Sequence, residues 1–388
     1  NAPNCGFWGY SILNPTSINN LGHWVGYRNK CPDNLWEIPI KWTPEGGLVN
    51  IPVPPQTSRC WAYGMNDLGT VVGVRVGVTN GQSHGGWACV WLPDGQFVEI
   101  PPLGGNPPES WAAAVNNKNM VVGWRKGLGG TSAAKLAFAW HDGEIIDLDP
   151  LPHGFWNAEA RAISDTGYIV GQFGNDSTGT GRGFRWKDGV VEILQPLHGA
   201  ITSTARGVTE EGVVFGQCRF GEGSATYSRA ARWGLDGVPF ELPPLPGHMG
   251  SFCTAVGNDG TVLGRSRATS SASSEVDVVW IDGVPYQIKD YLSTPTPNQY
   301  SGARAINDLG QIASVASFNP GFGVWILTPA GSFADLNGDC IVDGTDLGLL
   351  LQQWGSVPDA PASADLNHDG KVDGADLGIL LGVWSASQ

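Results

Sequence analysis

Met65-Asn66-Asp67-Leu68-Gly69-Thr70-Val71-Val72-Gly73 compresses an apolar strand end, a turn and the start of a second strand into one short phrase. Its turn recurs as Ile18-Asn19-Asn20-Leu21-Gly22, Val115-Asn116-Asn117-Lys118-Asn119 and Ile163-Ser164-Asp165-Thr166-Gly167. It appears again as Val208-Thr209-Glu210-Glu211-Gly212, Val256-Gly257-Asn258-Asp259-Gly260 and Ile306-Asn307-Asp308-Leu309-Gly310, at steps of 47, 50, 48, 45, 48 and 50 residues. Asn/Asp-x-Gly turns between short alternating runs join strands into hairpins.

Each copy then reaches a strand ending in Trp: Trp42, Trp91, Trp140, Trp186, Trp233, Trp280 and Trp325. Most continue through an Asp-Gly turn into a strand such as Val98-Glu99-Ile100, so each repeat reads as a four-stranded antiparallel sheet. Such sheets bury both faces only by stacking around an axis. The expected fold class is therefore all-β, a seven-bladed β-propeller over residues 1–329 made of four-stranded antiparallel blades. The seven Trp residues are read as packing between blades. The seventh copy stops after Trp325-Ile326-Leu327-Thr328-Pro329, and Tyr10-Ser11-Ile12-Leu13 is expected to complete it and latch the ring. The repeat is similar to a bacterial extracellular family named for a His-Ala-Phe triplet before the Trp. Ala137-Phe138-Ala139-Trp140 and Gly183-Phe184-Arg185-Trp186 come nearest. That likeness implies a secreted propeller and no particular chemistry.

After a short linker, residues 330–334, residues 335–388 carry two acidic loops offset by thirty residues. Oxygen-bearing residues occupy loop positions one, three, five, nine and twelve: Asp335, Asn337, Asp339, Asp343 and Asp346, then Asp365, Asn367, Asp369, Asp373 and Asp376. The carbonyls of Ile341 and Lys371 stand at position seven. This spacing collects the six to eight oxygens that Ca2+ takes, and two ions are expected. Leu347, Leu350, Leu351 and Trp354 follow the first loop at helical spacing, and Leu377, Leu380, Leu381 and Trp384 repeat it. Two loop-helix units packed face to face are expected.

The segment Asp335–Trp384 resembles a dockerin, the calcium-dependent docking module of secreted bacterial assemblies. It looks most like the planctomycete variety, with Asp-Leu-Asn-Gly-Asp at 335–339 and Gly-x-Asp-Leu-Gly-x-Leu-Leu at 344–351. The resemblance implies the ligand roles given above and Asp at position twelve. Cys340 departs from it, because that position normally holds a Gly to allow a sharp turn.

The net charge of −14 is concentrated in the last segment, where residues 331–388 hold nine acids and one Lys. With no basic patch, nucleic acid is not an expected partner. No apolar run has the length of a membrane span, and a chain beginning at Asn1 reads as a mature secreted protein, extracellular or at a bacterial cell surface. Glycine (56) and proline (27) are abundant and charged residues are 15%, which suits a chain of turns and strands. In an oxidising compartment the seven cysteines suggest disulfides, and the repeat positions suggest Cys5 with Cys31 and Cys218 with Cys253.

Chemistry outside the calcium loops is sparse. Trp61, Trp111, Trp156, Phe252 and Tyr300 hold related positions ahead of the innermost strands and form a candidate ligand face, suited to stacking on sugar rings or to packing between blades. His153, His198 and His248 lie in corresponding loops of three consecutive repeats, a candidate metal cluster or a coincidence. Asp67, Asp165, Asp259 and Asp308 read as turn formers that bond their own backbone. No nucleophile-elbow or zinc-protease motif is present, so no catalytic residue is assigned and an enzyme is not expected.

The function expected is that of a non-enzymatic secreted structural or interaction protein. Its rigid propeller is coupled through the calcium module to neighbouring copies, in an extracellular filament or surface layer, or to a cohesin-like partner. Leu349 and Ile379, at equivalent places off the packed helix face, are its expected docking surface. The alternative is a carbohydrate-binding or carbohydrate-cleaving propeller delivered to a cohesin-bearing scaffold.

Overall fold

The computed structural model describes residues 13–29, 37–79, 82–102, 108–127, 134–148, 157–174, 181–221, 226–269, 271, 274–292, 300–318, 321–329, 334–337, 342–356, 364, 366, 371–382 and 384. The chain divides into two compact units, Asn1–Leu327 and Thr328–Gln388.

The first unit is an all-β propeller. Its sheets correct the expectation of seven four-stranded blades. The first two repeats share one eight-stranded sheet, because Glu37 pairs in parallel with Arg59 across their boundary. Repeats three to six each form a four-stranded sheet. Counted by sheets, the propeller has five blades of four or more strands rather than seven, and the last repeat adds a sheet of three: Tyr300–Ile306, Ile312–Phe318 and Gly321–Leu327. The expected latch is also corrected in part. Leu13 opens the inner strand Leu13–Ile18 of the first sheet, opposite Arg28, and so adds nothing to the last sheet. Residues 10–12 lie outside the described residues.

The core sits in the seams between neighbouring repeats. Val72, Val90 and Ile100 of the second repeat pack on Ala112, Val121 and Phe138 of the third, and the other boundaries repeat the pattern. Ile18, Trp24 and Ile40 meet Ala305 and Ala313, which closes the ring. Three repeat Trp residues also tie neighbours by hydrogen bonds. The indole N–H groups of Trp91, Trp233 and Trp280 donate to the carbonyls of Pro52 (2.8 Å), Gln195 (2.7 Å) and Pro243 (2.7 Å), each at the end of the preceding repeat. A buried indole needs such an acceptor.

A β-bulge interrupts every inner strand at the same place. The register skips Thr16, Tyr63, Ala113, Arg161, Arg206, Thr254 and Arg304 in turn. The bulge explains the Gly of Val-Val-Gly, since a Cβ on Gly73 would lie 1.8 Å from the carbonyl oxygen of Trp61, and one on Gly123 would lie 1.8 Å from that of Trp111.

In the second unit, helices α1 (Gly344–Gln352) and α2 (Gly374–Gly382) flank a two-residue pairing of Gly355–Ser356 with Lys371–Val372. Ala334, Val342, Leu350, Ala364, Leu366, Val372 and Leu380 form its core.

Candidate functional site

The seven repeat turns form a closed relay around the propeller axis. The backbone N–H of Asn20 donates to Asp67 Oδ1 (2.8 Å), that of Asp67 to Asn117 Oδ1 (2.8 Å) and that of Asn117 to Asp165 Oδ1 (2.6 Å). The backbone N–H of Asp165 donates to Glu210 Oε1 (2.8 Å), that of Glu210 to Asn258 Oδ1 (3.2 Å), that of Asn258 to Asp308 Oδ1 (2.9 Å) and that of Asp308 back to Asn20 Oδ1 (3.0 Å). Amide and acid alternate around the relay except where Asp165 meets Glu210. The Asn117 amide donates to Asp67 Oδ2 (2.9 Å) and Asp165 Oδ2 (2.8 Å), and the Asn20 amide to Asp67 Oδ2 (3.1 Å) and Asp308 Oδ2 (2.9 Å). Asp67, Asp165 and Asp308 therefore bond the turns of neighbouring repeats. Asp259 behaves as the sequence suggests, accepting from Thr261 N in its own turn (2.9 Å). Where the third turn replaces Gly with Asn119, the backbone keeps a left-handed φ of 58°, which Asn tolerates.

Above the relay lies a channel cavity of about 290 Å³, lined by the inner strands. Of the bulged residues, Thr16, Tyr63, Ala113, Arg206 and Thr254 line it. Arg206 and Thr254 are exposed. Bulges re-aim side chains in this way. Burial pushes the Tyr63 phenol well above its ordinary range, with Tyr27 and Glu37 adding to the shift, so Tyr63 stays neutral.

The structure brings together only part of the expected ligand face. Trp61 and Trp111 stack with ring centroids 6.2 Å apart and planes 19° apart, and Tyr63 joins them at 5.2 Å from Trp111. Trp124, on the next strand, extends the row at 6.0 Å and 11°, and Lys135 Nζ caps it 4.1 Å from the ring centre. Phe252 lies under Arg267 (4.5 Å), and Tyr300 donates its hydroxyl to Asp277 Oδ2 (2.9 Å); each is engaged away from the Trp row. Trp156 and His153 lie outside the described residues. His198 is exposed and His248 Nδ1 bonds Ser266 Oγ at 2.9 Å. Among the described residues, no three His, Cys, Asp or Glu side chains are grouped to hold a metal.

The suggested Cys218–Cys253 disulfide is corrected: both are free, buried thiols, in seams on opposite sides of the fifth repeat. Burial raises them to about 11 and about 12 respectively, so they are unreactive as thiolates. Cys60 and Cys89 are also free and buried. Burial, then a hydrogen bond to Cys60, raises Cys89 further. Cys5, Cys31 and Cys340 lie outside the described residues.

In the second unit, Asp346 and Asp376 at position twelve are fully buried. Asp346 Oδ1 accepts from Leu336 N (2.7 Å) and Asn337 N (3.1 Å), and its Oδ2 accepts from Asp343 N (2.9 Å). Asp376 repeats this with Leu366 N (2.7 Å) and Asp373 N (2.8 Å). Burial pushes the Asp346 carboxyl up, but the N–H donors of Asp343, Asn337 and Leu336 outweigh it and hold the pKa below its ordinary value. Asp343 caps α1, accepting from Thr345 N at 2.7 Å, and Asp373 accepts from Ala375 N at 2.8 Å. Asp339, Ile341, Asp365, Asn367 and Asp369 lie outside the described residues, whereas Lys371 pairs in the short strand.

The helices stop at Gln352 and Gly382, before the Trp residues that were expected to pack. Leu350 and Leu380 are buried, but Leu351, Trp354, Leu381 and Trp384 are exposed by 52, 49, 52 and 37%. Leu349 is half-buried, and Ile379 packs against the core instead of facing outward.

Residues 333–381 match the family described as the dockerin type I domain, so the chain carries such a domain in its second unit. No curated protein matches the chain. Among solved structures, an acylaminoacyl peptidase in complex with Z-Gly-Gly-Phe-chloromethyl ketone is similar at 10% identity over 81% of this chain and 50% of its own, with a TM-score of 0.50. The Pyrococcus horikoshii acylaminoacyl peptidase matches at 10% identity over 83% and 51%, with a TM-score of 0.50. This chain thus spans about half the length of those peptidases. A streptogramin B lyase structure aligns at 13% identity over 80% of this chain and 96% of its own, with a TM-score of 0.43. These likenesses concern the propeller fold alone.

Proposed function

We propose that the protein is a non-catalytic extracellular component whose propeller is coupled, through its calcium-loaded dockerin domain, to a cohesin-type partner. The observation that carries this reading is the duplicated apolar pair left uncovered on the second unit, Leu351 with Trp354 and Leu381 with Trp384. Large apolar side chains exposed at two equivalent places mark an interaction surface. The dockerin match favours a separate cohesin over a second copy of the chain. The same duplicated face also suits a neighbouring copy, which would build a filament or surface layer.

Each loop would hold one Ca2+. Asp335, Asn337, Asp343 and Asp346 would hold it in the first loop with Asp339 and the Ile341 carbonyl. Asp365, Asn367, Asp369, the Lys371 carbonyl, Asp373 and Asp376 would be the second set. An all-oxygen set closed by a buried carboxylate suits a hard cation. Bound calcium would neutralise Asp346 and Asp376 and fix the angle between loop and helix, on which the exposed pairs depend.

Light scattering of the full chain with a panel of purified cohesin modules, in calcium and after chelation, tests this. A one-to-one complex that dissociates on chelation is expected, and it should be lost in Leu351→Asp/Leu381→Asp. Large species of the chain alone in calcium would favour self-docking. A single-chain mass under every condition would defeat both readings.

A further inference from the structure

The face of the propeller that carries the relay turns also carries leucines that the fold does not use. The third residue of the repeat turn is Leu21, Leu68, Lys118, Thr166, Glu211, Asp259 and Leu309 in chain order. The turn engages the backbone of that residue: the N–H groups of Leu21, Lys118 and Leu309 donate alike to the side-chain oxygens of Asn19, Asn116 and Asn307, each at 3.1 Å. Lysine, threonine and acids therefore serve there as well as leucine does. Leu21, Leu68 and Leu309 are nevertheless exposed by 58, 55 and 59%. They also come from neighbouring repeats. Asn20 N–H bonds Asp67, and Asp308 N–H bonds Asn20. These are the residues directly before the three leucines, so ring closure sets Leu309, Leu21 and Leu68 side by side in one arc. Single exposed leucines are ordinary, but three in one arc mark an interaction surface.

The charges around the arc select its partner. In a four-stranded meander the first and third hairpin turns lie at the same end of the sheet. In the first repeat His23 Nε2 approaches Glu45 Oε2 across them at 3.9 Å, and in the third His141 Nε2 meets the Lys118 carbonyl at 3.0 Å. The third turns thus place Glu45, Asp94, Asp142, Asp188, Asp236 and Asp282 on this face, all exposed. Among the described residues, the cations that oppose them are Lys41 beside Gly69, the exposed Lys118, and Lys187 and Arg232, which lie over Tyr168 (3.9 Å) and Phe240 (5.0 Å). Arg185 is buried and pairs with Glu192. The face is acidic, and Glu45 and Asp94 belong to the same repeats as Leu21 and Leu68. A second copy of this face would set like charges together. Residues 331–388, with nine acids and one Lys, match it no better. The complement is a basic partner.

We propose that this arc docks a basic amphipathic helix of a partner protein, its apolar row against Leu309, Leu21 and Leu68 and its Lys or Arg side chains over Glu45 and Asp94. A helix with apolar residues three and four apart presents such a row, with its charged flanks on either side. Burying the leucines supplies the affinity, and the carboxylates set the orientation. The surface belongs to the propeller alone and stands whether or not the second unit docks.

The test is isothermal titration of the full chain, in calcium and physiological salt, with three synthetic peptides. One is built of Leu and Lys with Leu at helical spacing, one has the same composition with that spacing scrambled, and one has Glu in place of Lys. Binding of the first alone is expected. Leu21→Thr/Leu68→Thr/Leu309→Thr should weaken it about tenfold or more, since the buried apolar area is lost. Thr166 already holds that turn position, so the triple variant should melt with the parent. Leu21→Lys, which copies Lys118 at the centre of the arc, is a second variant that should weaken binding by the same route and by like charge. Glu45→Gln/Asp94→Asn should weaken binding and flatten its dependence on salt. A peptide held only by the acidic second unit would bind the triple variant and Leu21→Lys as tightly as the parent, which would overturn the proposal. Equal affinity for the scrambled peptide, or failure of the parent to bind the Leu/Lys helix, would overturn it as well.

Discussion

Replacing Asp67 tests whether the relay holds the propeller together. Asp67 accepts three hydrogen bonds from two neighbouring repeats, at 2.8 Å from Asn20 N, 3.1 Å from Asn20 Nδ2 and 2.9 Å from Asn117 Nδ2. Asp67→Ala removes all three and leaves a partly buried N–H unpaired. At about 1 to 1.5 kcal/mol net for each partly solvated bond to a charged acceptor, the loss is about 3 to 4 kcal/mol. In a unit of this size that should lower Tm by roughly 4 to 6 °C. Asp67→Asn separates shape from polarity. Its Oδ1 still accepts from Asn20 N, but its NH2 would face two amide donors where the native residue presents Oδ2. It should therefore lose most of what Ala loses, despite being nearly isosteric. Differential scanning calorimetry of the full chain reads both variants. If Asp67→Asn melts with the parent while Asp67→Ala does not, the alternation of amide and acid is irrelevant and the argument from polarity fails.

Gly73→Ala should destabilise the first unit by at least about 2 kcal/mol, because its Cβ would stand 1.8 Å from a backbone carbonyl that cannot move without undoing the bulge; urea unfolding measures this. Chelating calcium should lower the melting temperature of the second unit and leave the first unchanged, since a ligand stabilises only the unit that binds it; two-transition calorimetry distinguishes the units. The folded-state pKa of Asp346 is depressed, so its contribution is fully present above about pH 4 and lost as the pH falls through the folded value. Far-UV circular dichroism of the isolated second unit at decreasing pH should show α1 melting in that acid range, and a transition at neutral pH would contradict it.

The turns, the Trp at the end of each third strand and the dockerin segment were legible because their information is local. An Asn-Asp-x-Gly turn or a twelve-residue ligand spacing is complete within one short stretch. The partners of Asp67 are not: Asn20 is 47 residues before it and Asn117 is 50 residues after it, so the carboxylate looks like an ordinary turn former until the ring closes. Sheet boundaries were equally hidden. One parallel pairing, Glu37 with Arg59, merges two repeats that read as separate blades. On the helices, the spacing of Leu347, Leu350, Leu351 and Trp354 describes a face, but the helix ends at Gln352, and Trp354 falls beyond it.

The bulges connect these two kinds of information. Gly73 and its equivalents are visible in the sequence as the Gly of Val-Val-Gly, and a glycine inside a strand suggests either a bulge or a close approach of backbone. The structure shows that both apply, since the carbonyl two residues before each bulge fills the space that a Cβ would need. The last repeat tests the rule within the molecule. It carries Ser314 at the corresponding place, and the Ser314 hydroxyl is buried without a partner among the described residues. Ser314→Gly should therefore relieve a local conflict and stabilise the first unit, whereas Gly73→Ser should destabilise it. The opposite signs follow from one geometric cause and can be read in the same calorimetric experiment. Equal signs would show that the bulge and the strand glycine are unrelated.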